Sequence, residues 1–197
     1  MRMVRSIGYS LTSLTLLVVA CAPEVDTANP PAARTVAPEA AESTVVEAIR
    51  PEDLLKNGLT PFAEEAMLVG GQPTPGQLER ASELGYKTVI NLRGAGEEGN
   101  TDPAQVESLG MAYVATPIQG AVDMTEEKAR ALAAALETAE SPVIVHCSSG
   151  NRVGGLFAMK AYYVDGASPE EALRVGKAAG MTRLEPAVRE KLGLPAG

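Results

Sequence analysis

The sequence predicts an α/β domain with a mainly parallel central sheet of about four strands flanked by helices. Three observations predict it. Short apolar runs recur from Met67 to Val145, each too short for a helix. Between successive runs lies a segment with helix-capping chemistry, and parallel strands need such crossovers. The last run, Val143-Ile144-Val145, is β-branched and apolar throughout, the pattern of a strand buried on both faces.

The elements follow in order. Met67-Leu68-Val69 is the first strand. Thr74-Pro75-Gly76-Gln77 then has the form of a capping box with proline at the first helical position, and Gly85 ends that helix after about Leu84. Lys87 to Leu92 is the second strand, left through a loop from Arg93 to Asn100. Asp102-Pro103-Ala104-Gln105 opens a short helix that Gly110 stops, and Met111 to Ala115 is the third strand. Pro117 to Asp123 is a loop, and Thr125 caps an Ala/Leu/Glu helix to about Ala139. Ser141-Pro142 breaks it ahead of the Val143 strand. After the loop that follows, Gly154 to about Val164 is helical, with Gly166 as its stop. Ser168-Pro169-Glu170-Glu171 caps the next helix, which Gly180 ends, and Thr182-Arg183-Leu184-Glu185 opens the last, to about Leu192.

The residues before this domain differ in kind. Residues 1–20 hold Arg2 and Arg5 and then an apolar run from Leu14 to Ala20, too short for a membrane span and of the form of a secretory signal. Val18-Val19-Ala20-Cys21 resembles a bacterial lipobox, which implies lipid on Cys21 and a membrane contact through that anchor. An ordinary signal peptide, or an uncleaved anchor helix, with Cys21 incidental is the alternative. Ala22 after the cysteine points to the outer membrane, facing the periplasm, in a Gram-negative cell. Residues 21–50 are then the lipidated cysteine and an Ala/Pro/Glu/Thr-rich tether, with room for a short helix around 43–49. Residues 51–197 form one domain. The net charge is −8, and loss of Arg2 and Arg5 makes the mature chain more acidic still, which argues against a nucleic-acid partner. With Cys21 lipidated, Cys147 is the remaining thiol and no intramolecular disulfide forms.

The chemistry concentrates in His146-Cys147-Ser148-Ser149-Gly150-Asn151-Arg152. Ligands of parallel sheets bind at the carboxyl ends of strands. There Cys147 sits between a strand end and a helix start, where backbone N–H groups and the helix dipole favour an anion. A thiolate can attack phosphorus or sulfur. Ser148, Ser149, Gly150 and Asn151 form the anion-binding loop, with Gly150 permitting the backbone turn. Arg152 offers bidentate donors for phosphate or sulfate oxygens. His146 either braces the loop or is a satisfied core histidine. Arg93 either joins the anion pocket or forms an ion pair with Glu97 or Glu98. One histidine and one available thiol make no metal cluster, and nothing calls for a cofactor.

Three motifs in order carry a family resemblance: Gly71-Gln72-Pro73-Thr74-Pro75, then Gly85 through Arg93, then the cysteine loop. Together they resemble the phosphatase-like domain of beta-lactamase-hydrolase-like proteins, a shortened relative of the dual-specificity phosphatases, over about residues 60–165. The resemblance implies a protein-tyrosine-phosphatase-like fold and a phosphocysteine intermediate. It also implies an aspartate before the central helix that protonates the leaving group. Asp123 is the one carboxylate between Ala112 and Met124, so it is the candidate for that role, with a solvated residue near the start of the Thr125 helix as the alternative; Asp102 is a weaker candidate and otherwise a helix cap. The loop has Cys-x4-Arg rather than the phosphatase superfamily's Cys-x5-Arg, and Val153 replaces a hydroxyl residue. The six-residue ring from Cys147 to Arg152 also resembles the rhodanese loop, and both departures favour sulfur transfer. Three functions follow for an anionic, phosphorylated or sulfur-containing substrate: a cysteine-dependent phosphatase, a sulfurtransferase using a Cys147 persulfide, or a non-catalytic anion-binding module.

Overall fold

A computed structural model describes residues 58–62 and 66–197; the proposed signal, Cys21, the tether and the short helix around 43–49 lie outside the described residues. Five strands form one sheet in the order β1-β2-β5-β3-β4. They are β1 (Leu59–Pro61), β2 (Met67–Gly70), β3 (Thr88–Asn91), β4 (Ala112–Ala115) and β5 (Val143–His146). The helices are α1 (Pro75–Glu83), α2 (Pro103–Ser108), α3 (Glu126–Thr138), α4 (Asn151–Tyr163), α5 (Pro169–Ala178) and α6 (Glu185–Lys191). Strands β2 to β5 are parallel to their neighbours, and β1 alone is antiparallel, on the edge beside β2. The four expected strands are present, and β1 is the additional one. It is three residues long with a single buried side chain, too little for a periodic signal.

The strands alternate their side chains between two cores, as a pleated sheet requires. Met67, Val69, Ile90, Val143 and Val145 face one side, where α4 supplies Val153, Leu156, Phe157 and Met159. Leu68, Val89 and Ile144 face the other, against Leu78 and Ala81 of α1 and Val106 of α2. Each fully buried large side chain stabilises the fold by about 1.5–3 kcal/mol relative to exposure.

Helix α4 is buried on most of its circumference, from Val153 to Met159 without a break. It packs so closely on α5 and the segment after it that Gly154 has no room for a side chain. A Cβ there would lie 2.1 Å from the Met181 amide nitrogen and 2.5 Å from the Gly176 carbonyl oxygen. The helix also begins earlier than its sequence indicates. Gly150 at φ 83° is its left-handed N-cap, so Arg152 belongs to the first helical turn rather than to a loop. The expected capping box at Thr74 is formed, with Gln77 returning a bond to the Thr74 backbone. Ser168, Asp102 and Thr125 cap their helices as well. No helix among the described residues is long and apolar enough to cross a membrane.

Candidate active site

The register of the sheet brings four loops together. Gly70, His146, Asn91 and Ala115 stand side by side at the carboxyl ends of β2, β5, β3 and β4. The loops after them begin at Gly71, Cys147, Leu92 and Thr116.

The cysteine loop is held by the end of β2 and the loop after it. The Cys147 amide donates to the Gly70 carbonyl at 3.1 Å, and the Gln72 amide donates to the Ser148 carbonyl at 3.2 Å. Gly71 and Ser149 form an isolated bridge. Cys147 is a free thiol, 1% exposed. The positive φ of Gly150 directs its amide to the sulfur, and Gly150 N–H donates to Cys147 Sγ at 3.2 Å. Ser148 and Ser149 are exposed on the outer side of the loop.

Arg152 has five N–H donors, and the structure allots three of them. Nη1 donates to Glu97 Oε1 at 2.5 Å and to the Ile118 carbonyl at 2.9 Å. Nη2 donates to Glu97 Oε2 at 2.7 Å. The end of the guanidinium is thus clasped by one carboxylate, and the side-on pair, Nε–H and the second Nη2–H, has no oxygen partner among the described residues, which leaves it for an oxyanion next to Cys147. Hydrogen bonding to Glu97 holds the Arg152 pKa up, and the Cys147 thiol beside it adds to this. The same bond to Arg152 holds the Glu97 carboxyl far below the usual carboxylate range, with help from the Gly94 amide and Arg93, so Glu97 stays ionised. Glu97 was not among the residues expected in the site. Its motif signal was its spacing from Arg93, which pointed to that arginine rather than to Arg152.

Arg93 is 7% exposed and organises the loop instead of facing the anion pocket. It donates to Glu97 at 3.1 Å, to the Glu98 and Gly99 carbonyls at 2.5 and 2.9 Å, and to Gln72 Oε1 at 2.6 Å. Of the two sequence alternatives, the ion pair with Glu97 is the one formed. Gln72 passes the connection on, donating to the Thr101 hydroxyl at 2.5 Å. Thr101 lies 3.2 Å from His146 Nε2, and His146 Nδ1 lies 3.3 Å from the Cys147 carbonyl. A carbonyl only accepts, so Nδ1 carries the proton and Nε2 accepts from Thr101. Burial pushes the His146 pKa down to about 4, with Arg93 and Arg152 adding to it against the Cys147 carbonyl. His146 is therefore neutral at pH 7 and braces the loop from below.

Asp123 and Asn151 face other partners. Asp123 ends a short 3-10 turn, and its Oδ2 accepts from the Gln119 amide at 2.7 Å. It lines neither of the two cavities beside Arg152, of about 560 and 240 Å³. Asn151 shares the smaller cavity, yet its Oδ1 accepts from Thr182 N, Thr182 Oγ1 and Leu184 N at 2.9, 3.2 and 3.1 Å. It fastens the segment after α5 to the cysteine loop, a role its sequence position does not signal. Among the described residues, no group of three or more His, Cys, Asp or Glu is arranged to hold a metal ion.

Residues 60–162 match the family described as beta-lactamase hydrolase-like protein, phosphatase-like domain. The beta-lactamase hydrolase-like protein of Xylella fastidiosa (strain Temecula1) is 32% identical over 121 residues, which are 59% of this chain and 28% of that protein. The matched part thus spans little more than a quarter of that relative. Among solved structures, a candidate phosphatase from Neisseria meningitidis gives a TM-score of 0.54 at 27% identity, covering 66% of this chain and 92% of that one. Tk-PTP in its active form gives 0.53 at 18% identity, covering 70% and 97%, and shares the fold.

Proposed function

The chain belongs to the phosphatase-like domain family of beta-lactamase hydrolase-like proteins, and from that premise we propose that it is a cysteine-dependent phosphatase acting on an anionic phosphate ester. The observation that carries this is the seating of Cys147 at the start of α4, with the Gly150 amide on its sulfur and Arg152 interacting with it.

Ester phosphate binds between the loop amides and the side-on donors of Arg152. The Cys147 thiolate attacks phosphorus, forming the S–P bond as the P–O bond to the alcohol breaks. Asp123 gives its proton to the departing oxygen. Its Oδ1 has no hydrogen bond among the described residues, whereas Glu97 is held as a carboxylate by two arginines and has no proton to give. Water then attacks the phosphocysteine, returns a proton to Asp123, and releases phosphate and the thiolate. Arg152 and the loop amides stabilise the charge on the equatorial oxygens in both steps.

One observation favours a second reading, the sulfurtransferase. Val153 follows Arg152 and is fully buried, so the site has no hydroxyl there to help break the S–P bond. The two readings separate in one experiment on the full chain: phenyl phosphate in one arm, thiosulfate with cyanide in the other, each repeated with Cys147→Ser. Phosphate release that disappears with Cys147→Ser supports the phosphatase. Thiocyanate formation without phosphate release replaces it with the sulfurtransferase.

The proposal extends to location. The lipobox ending at Cys21 supports export and a lipid anchor in the cell envelope, facing the periplasm. Labelled palmitate should enter the chain and be lost with Cys21→Ala; equal labelling of both would refute the anchor.

A further inference from the structure

The described residues include seven arginines, and six of them pair with a carboxylate. Arg183 is the exception. It is exposed, lies in an acidic protein, and lines the cavity of about 240 Å³ that also holds Ser148, Ser149 and Arg152. Among the described residues, no carboxylate lines that cavity.

The position of Arg183 is built rather than incidental. The residues on either side of it, Thr182 and Leu184, both give their amides to Asn151 Oδ1. Asn151 immediately precedes Arg152, so the backbone carrying Arg183 is registered to the backbone carrying the oxyanion donor. The segment is also seated from below, because the Met181 amide occupies the space that a side chain at position 154 would need. Arg152 and Arg183 thus line one small cavity from fixed backbone positions. Arg152 is paired with Glu97, which it shares with Arg93, and Arg183 has no carboxylate partner among the described residues.

We infer that Arg183 selects the substrate: it binds a second anionic group on the alcohol side of the phosphate ester, so the preferred substrates are small phosphomonoesters that carry a further carboxylate or phosphate. This rests on the phosphatase reading for turnover, though not for binding. A planar fork suits either anion and keeps its charge at every physiological pH. The field of an unneutralised cation in a cleft also raises the local concentration of a doubly anionic ligand.

The test uses the full chain and three matched esters: phenyl phosphate, 3-carboxyphenyl phosphate and 3-(trimethylammonio)phenyl phosphate. The readout is the ratio of kcat/KM between esters, in which any general loss of activity cancels. The carboxylated ester should be preferred, and Arg183→Gln should cut that preference about tenfold, chiefly through KM. Arg183→Lys should restore part of it, and Arg183→Glu should turn the preference toward the cationic ester. A ratio that Arg183→Gln and Arg183→Glu leave unchanged overturns the inference. Calorimetry with Cys147→Ser protein keeps the two readings apart. If the wild-type chain releases no phosphate but Cys147→Ser still binds 3-carboxyphenyl phosphate in an Arg183-dependent way, the phosphatase reading fails and the selection stands. If neither ester binds, or both bind alike, the selection fails too.

Discussion

Two loops at the carboxyl ends of the sheet are held in opposite ways. The stretch after β5, from Cys147 to Arg152 in the first turn of α4, is fixed from outside: by Gly70 at the end of β2 and Gln72 in the loop after it, by His146 and Thr101 below, by Glu97 from the loop after β3, and by Thr182 and Leu184 through Asn151. The loop after β4 is tied at its start to Asn91 and Leu92 through the Thr116 and Ile118 amides, and from Gln119 onward it is fixed from within. Asp123 accepts from Gln119, the Asp123 amide donates to the Gly120 carbonyl, and the Met124 amide donates to the Ala121 carbonyl. Its tie to the cysteine loop is the Ile118 carbonyl on Arg152, and Val122 at its tip is 72% exposed. An oxyanion cradle gains most from fixed geometry, because donors already in place need no reorganisation as charge develops. A proton donor must reach the leaving oxygen of whichever alcohol is bound, and a loop that closes on itself leaves room for that.

The contrast can be broken at its strongest point first. Arg152→Lys keeps the charge but loses the fork, so Glu97 can no longer be clasped while a side-on pair faces the substrate. We expect kcat/KM for phenyl phosphate to fall about 10²–10³-fold, with a normal far-ultraviolet circular dichroism spectrum. A smaller loss, within a few-fold, would mean that the fork is not what holds the oxyanion.

The self-braced loop should respond differently. Asp123→Asn removes the proton donor and keeps the shape, and kcat for phenyl phosphate should drop about 10²-fold. The drop should shrink strongly for p-nitrophenyl phosphate, whose leaving group needs little protonation. Equal losses on both esters would remove Asp123 from the acid role and leave it as the loop's own staple.

A third prediction concerns the brace beneath the cysteine. Burial pushes the His146 pKa down to about 4 from the ordinary histidine value of 6.5, so the unfolded chain binds the proton more readily between these limits. Stability from this residue is therefore complete above pH 6.5 and is lost as pH falls toward 4, an effect on the order of 3 kcal/mol. Urea midpoints measured between pH 7.5 and 4.5 should fall, and His146→Gln should flatten that part of the profile. A profile unchanged by the substitution would place the acid sensitivity elsewhere.

How far the sequence reveals this arrangement depends on the range of each interaction. Four strands, the capped helices and the cysteine at a strand end are local patterns, and Thr74, Asp102, Thr125 and Ser168 mark helix starts without reference to the rest of the chain. The pairing of Glu97 with Arg152 spans 55 residues and exists because the sheet sets β3 beside β5. The roles of Asn151 and Arg183 depend on the segment after α5 folding back over the cysteine loop, across 31 residues or more. Even the start of α4 escapes local reading, since Gly150 both closes the loop and caps the helix. What the chain brings together over distance leaves no local pattern, and the clasp on Arg152 is part of it.

The central claim is that Cys147 carries phosphorus during turnover. The direct measurement is acid quenching of the full chain during hydrolysis of phenyl phosphate, then mass spectrometry of the peptide that contains Cys147. A Cys147 peptide heavier by one phosphoryl group, absent in Cys147→Ser, is the predicted result. Steady phosphate release from wild-type protein that Cys147→Ser retains in full, or an extra sulfur on Cys147 after thiosulfate with no phosphoryl adduct and no phosphate release, would contradict it.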